Sequence, residues 1–214
     1  MKNFFERYSY SVVKMFLNQF AIGIFGAVLT LATSGISDVF LALTSIGSIM
    51  FYLFLLYTVI WEVGSKDRIS SDVGKIQKRP YLGFLLSLIS NIPNFIVATI
   101  YTVCYFISHG AEGIATNIAG VMRIFTLVFH GMYYGLMTVL SIGTRVNAEG
   151  ITVPNELFNF WWSYFLIIIP SVLLCGVGYW LGNKNYHLTK IMETPYPESD
   201  REVKVKKDRK DNDR

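Results

Sequence analysis

The chain has 214 residues, 52% of them hydrophobic, a mean hydropathy of +0.41 and a formal net charge of +4. Charged residues are 16%, against roughly 25% in soluble domains, and between Pro80 and Lys184 only Glu112, Arg123, Arg145, Glu149 and Glu156 interrupt the apolar sequence. That pattern excludes a soluble core, and it excludes nucleic-acid binding as the reason for the positive charge, because the basic residues sit at the edges of apolar runs and in the tail, where membrane topology accounts for them.

The fold class read from this pattern is all-α: a polytopic transmembrane helix bundle with five apolar segments. It occupies residues 1–183, with a cytoplasmic loop at 62–80 and a polar, mixed-charge cytoplasmic tail at 184–214. The first span covers about residues 11–33, after an interfacial lead-in. It starts too late, and without a small-residue cleavage site, to read as a secretory signal peptide. Gln19, Gly23, Ala27, Thr30 and Ser34 share a face whose small residues let helices approach closely. The turn Ser34–Asp38 leads to a second span, about 39–61, and forms an antiparallel hairpin with it.

The stretch Trp61-Glu62-Val63-Gly64-Ser65-Lys66-Asp67-Arg68 ends the second helix in this reading. Glu62 with Lys66, and Arg68 with Asp72, have the spacing of helical ion pairs. With Lys75, Lys78 and Arg79 they make a short basic loop of the kind that stays cytoplasmic. Its cations, Lys66, Arg68, Lys75, Lys78 and Arg79, are candidates for contact with anionic lipid. Glu62 and Asp67 read as members of a solvated loop. The stretch resembles that of uncharacterised bacterial multi-pass membrane proteins, and the resemblance implies no activity.

The third span, 81–108, contains Asn91-Ile92-Pro93-Asn94 near its middle. Pro93 removes an amide donor and crowds the preceding turn, so the helix is expected to bend there. Asn91 and Asn94 at bilayer depth need partners, so their face points inward. The next segment, 113–144, has an awkward length. As one helix it spans about 48 Å, more than a hydrocarbon core of about 30 Å and less than two crossings with a turn. Residues 145–157 read as a polar loop containing Pro154, and the last span is bracketed by Trp161, Trp162 and Trp180, with a kink expected at Pro170 and a close-packing face at Gly178 and Gly182.

Charge arithmetic bears on the awkward segment. The basic loop at 62–80 and the nine Lys and Arg residues from Lys184 onward both favour the cytoplasm. Both ends inside require an even number of crossings between them and the loop, whereas the obvious apolar segments there number three. Residues 113–144 are therefore expected to be broken or re-entrant, giving six helices, with Gly131 and Gly135 supplying the break. One long tilted helix, with the tail outside, is the competing topology.

The same segment carries Arg123 and His130, seven residues apart and so on one helical face. An ionisable residue inside a span is by default a functional hypothesis. The candidate binding residues are Arg123, His130, Asn91, Asn94, Asn117 and Tyr134, lining a polar pocket where 113–144 meets the Asn91–Asn94 kink. Arg123 would attract an anionic group. The alternative is a brace, with Arg123 snorkelling or capping carbonyls and His130 donating to a neighbouring helix.

No catalytic residue, metal site or cofactor is expected. His-Glu-x-x-His, Gly-x-Ser-x-Gly and phosphate-binding loops are absent, and Cys104 and Cys175 read as small core residues. The expected function is that of a small transporter-type protein or solute-binding membrane subunit in the plasma membrane, with a membrane-protein partner. The alternative is a non-catalytic membrane scaffold.

Overall fold

The computed structural model describes residues 2–77, 79–108, 113–146 and 150–186. Lys78 and the expected tail from His187 onward lie outside the described residues. The chain is an all-α helical bundle: α1 (Lys2–Thr33), α2 (Asp38–Asp72), α3 (Leu82–Ser90), α4 (Ile92–Ser108), α5 (Ile114–Val139), a β-hairpin of β1 (Ser141–Val146) and β2 (Thr152–Glu156), then α6 (Ser163–Leu166) and α7 (Ile169–Asn183). Among the described residues, four helices are long and apolar enough to cross a membrane, or five segments if α3 and α4 count as one bent span.

The turn between α1 and α2 is closed by a cap. Ser37 adopts an extended backbone and its side chain accepts from the Phe40 amide at 3.2 Å, satisfying an orphan donor of the first turn. α2 does not stop at the Trp belt but continues through 62–72. The Lys66–Glu62 pair at 2.6 Å supports the extension, and its end falls at Gly74. There φ is +73 and the amides of Gly74 and Lys75 return to Ser71 and Ser70, the left-handed cap that glycine adopts without a steric cost.

The span at 81–108 is broken, as Pro93 requires. α3 and α4 meet at Asn91 with a bend of 56°. The Asn91 side chain donates to the Ser87 carbonyl at 2.9 Å and accepts from the Asn94 amide at 2.8 Å, so Asn91 pairs with the break and Asn94 with Asn91, while Asn94 Oδ1 is buried without a partner.

Segment 113–144 is interrupted twice. α5 has a non-helical backbone at His130 (φ −127°, ψ 23°), next to Gly131, and after Leu140 the chain becomes a strand. Just past the kink, the Ser45 hydroxyl from α2 inserts into the helical ladder. It donates to the Met132 carbonyl at 2.6 Å and accepts from the Leu136 amide at 3.1 Å. α1 crosses α5 here through glycine: a Cβ on Gly131 would sit 2.7 Å from Ala27 Cβ.

The β-hairpin is a departure from the sequence reading, which takes 145–157 as polar loop. β-branched residues in Ser141–Val146 and Thr152–Glu156 suit strands, and Gly143, at φ +72, sits where the register slips between Ser141 and Thr144. Pro154 is tolerated because a two-stranded sheet is all edge. The Leu157 amide bonds the Leu140 carbonyl at 2.9 Å and closes the base.

α7 returns against α2 and α3. Gly182 abuts the backbone of Trp61 and Ser65, Gly64 that of Tyr179 and Asn183, and Gly83 that of Cys175. The start of α1, the end of α2, the start of α3 and the end of α7 therefore meet at one end of the bundle, around Asp67.

Candidate functional site

Two polar centres emerge, one on α5 and one around Asp67. The first is a cavity of about 950 Å³ between α4, α5, the hairpin and the turn at Leu157–Asn159. α4 supplies an aromatic wall. Tyr101 meets Tyr164 edge-on with centroids 4.6 Å apart, and Phe106 packs on Trp161 at 5.6 Å. α5 supplies Thr116, Ala119, Gly120 and Arg123, and the hairpin supplies Arg145 and Asn155.

Arg123 is held in place from two sides. Its guanidinium lies 4.5 Å over the Phe158 ring, a cation–π contact, and donates to Asn159 Oδ1 at 3.3 Å. With its carbonyl thus used, the Asn159 amide nitrogen is buried and has no partner. An orphaned buried donor costs about 1–3 kcal/mol, a cost taken at a nitrogen that has no surface open to the cavity its residue lines. Among the described residues neither Arg123 nor Arg145 has a carboxylate within 4 Å. Glu112 and Glu149 lie outside the described residues. The lining includes two guanidinium groups, Arg123 and Arg145, matched by a carboxylate or phosphate, and the aromatic walls suit an apolar or aromatic body.

The sequence-derived candidates divide between three places. Arg123, His130 and Tyr134 line one crevice with Phe158 and Tyr164, and its volume is about 20 Å³. A single water occupies about 30 Å³ of liquid and needs about 10–15 Å³ of free centre volume, so the crevice admits one water and no solute. His130 is 7% exposed, its Nδ1 lies 3.4 Å from Gln19 Nε2, and its ring packs near Tyr133, tying α5 to α1. Tyr134 stacks on Phe158 at 5.6 Å. Asn91 and Asn94 stay at the α3–α4 break and line neither the crevice nor the cavity, and Asn117 is exposed on the first turns of α5. The structure thus joins Arg123 to Arg145, Asn155, Asn159 and the α4 aromatics rather than to the asparagine kink. Pattern reading misses Arg145 and Asn155 because they come from the segment it takes as loop.

The second centre is the Asp67 cluster. Asp67 Oδ1 accepts from Arg7 Nε at 3.2 Å and Nη2 at 2.9 Å, and Oδ2 accepts from the hydroxyls of Tyr8 at 2.8 Å and Tyr179 at 3.0 Å. The carboxylate is 4% exposed, so it is no solvated loop group. A signal for this exists in the sequence: Leu56, Val59, Ile60, Val63 and Gly64 form a buried helical stripe, and continuing its three-and-four spacing lands on Asp67.

Comparison with known proteins finds no matching family model, no matching curated protein and no matching solved structure.

Proposed function

We propose that this chain is a solute-binding, multi-pass membrane protein of transporter type, and that it takes an anionic solute with an apolar body into the Arg123 cavity. The observation that carries this is the Arg123 guanidinium, held by Phe158 and Asn159 and with no carboxylate within 4 Å among the described residues, on the wall of a 950 Å³ cavity that Arg145 also lines. Arg123 and Arg145 bind the carboxylate or phosphate, and Tyr101, Tyr105 and Phe106 enclose the body.

The proposed orientation puts the Asp67 end, with its excess of Lys and Arg, in the cytoplasm of the plasma membrane. Support comes from the meeting of the start of α1 and the end of α7 at that end. α5 is then the segment that does not pass fully: it is kinked at His130, and Thr116 near its start lines the same cavity as Arg145 beyond its end. The cavity opens on the opposite, outer side. Thr144→Cys labels from outside intact cells and Ser199→Cys does not; the reverse pattern refutes the orientation.

The binding test is thermal stabilisation of the purified protein by a panel of aromatic carboxylates and phosphate esters. Gly120 lines the cavity, and a Cβ there meets nothing within 4 Å, so Gly120→Phe fills the space without a backbone clash. Stabilisation that both Gly120→Phe and Arg123→Gln abolish supports the reading. No stabilisation by any member, or a shift that survives in Gly120→Phe, overturns it.

A second reading, a non-catalytic scaffold serving a membrane-protein partner, is favoured by the exposed hairpin with Ile142, Val146 and Ile151 on its surface. It requires that Arg123→Leu leave partner binding intact and that hairpin substitutions abolish it.

A further inference from the structure

Beside the Asp67 cluster lies a separate cavity of about 380 Å³, lined by Arg7 from α1, Lys75 and Arg79 from the α2–α3 connection, and apolar Phe4, Ile76 and Leu82. Three cations and one carboxylate leave it a formal charge of +2, from 3 − 1. The carboxylate is already saturated: Arg7 holds one oxygen and two tyrosine hydroxyls hold the other. Asp67 therefore acts as an anchor that fixes the Arg7 guanidinium. Arg7 Nε and Nη2 are used on Asp67 and Ser70, so Nη1 is the remaining donor edge. Lys75 and Arg79 are exposed and have no carboxylate within 4 Å among the described residues.

We infer that this cavity binds the phosphate headgroup of a single anionic phospholipid. A guanidinium from α1 and an ammonium and a second guanidinium from the α2–α3 connection line one space, the donor types that phosphate oxygens take. A lipid is the source the site fits, in preference to a free anion. The cavity sits where the membrane-crossing helices end, and its wall carries Phe4, Ile76 and Leu82 for the glycerol and the start of the acyl chains. Basic residues at such an edge attract anionic lipid. This binding is independent of the Arg123 cavity.

The test uses the full chain in a neutral detergent, titrated with phosphatidylglycerol, phosphatidylcholine or inorganic phosphate while thermal stability is read. Phosphatidylglycerol raises the midpoint and phosphatidylcholine does not. Each lost cation weakens the apparent affinity roughly fivefold, and Lys75→Gln/Arg79→Gln together weaken it about thirtyfold. Arg123→Gln retains the lipid response, which separates this site from the solute cavity. Lys184→Gln, a cation just past the end of α7 and outside the cavity wall, retains it as well. Inorganic phosphate stabilising as well as the lipid overturns the lipid assignment. A loss in Lys184→Gln equal to that in the double variant overturns the site in favour of diffuse surface charge, and so does an unchanged response in the double variant.

Discussion

Asp67 is the residue whose loss the bundle should feel most. Its carboxylate joins α1, α2 and α7 through four hydrogen bonds, two from Arg7 and one each from Tyr8 and Tyr179. Interhelical hydrogen bonds in membrane proteins are worth about 0.6 kcal/mol each on average, so four give about 2.4 kcal/mol. Losing one partner of a fully buried pair costs about 3–5 kcal/mol, but Arg7 is 34% exposed and water in the adjoining cavity can rehydrate it, which lowers that figure. Asp67→Ala should therefore destabilise by about 2–4 kcal/mol, most of it from stranding two phenolic hydroxyls. Asp67→Asn keeps an acceptor for Arg7 and should cost less. The assay is unfolding in mixed detergent micelles followed by tryptophan fluorescence, with Arg7→Ala and the double variant completing a cycle. A coupling energy of about 1–3 kcal/mol is expected. Additive single costs, or a loss in Asp67→Ala under about 0.5 kcal/mol, would show that the cluster is an exposed ion pair and refute the reasoning.

Other outcomes follow from the same geometry. Ser45→Ala removes the hydroxyl that bridges Met132 and Leu136, and should cost about 1–2 kcal/mol in the same unfolding assay. A loss near zero would mean that α5 re-forms its own ladder bond there. Gly131→Leu drives a side chain into Ala27 and the α1 backbone and should cost about 3 kcal/mol or more, whereas Gly35→Ala, with nothing within 4 Å, should stay within about 0.5 kcal/mol. Equal effects of the two would remove the α1–α5 crossing as a packing constraint.

Local and compositional features were legible in the sequence because they depend on neighbours along the chain. The apolar runs name the helices, since backbone polar groups in lipid must be satisfied within each segment. Pro93 locates the break between α3 and α4. The length of 113–144 implies that it is interrupted, and Arg123 stands out as a candidate because a cation among apolar residues needs a reason.

The partners of those residues were decided by tertiary structure. Nothing near Arg123 in the chain indicates that its guanidinium meets Asn159, or that Arg145 and Asn155 return on a hairpin to wall the same cavity. Asn91 and Asn94 have polar character suited to a pocket, yet pair with each other at the Pro93 break. Asp67 reads as a loop acid until Arg7, Tyr8 and Tyr179 converge on it across three helices. The sequence by itself determined which segments seek lipid and which polar groups must find partners. The packing of helices distant in sequence settles which partners those are, because small residues such as Gly23 and Gly182 mark a close-packing face but carry no record of the helix that meets it.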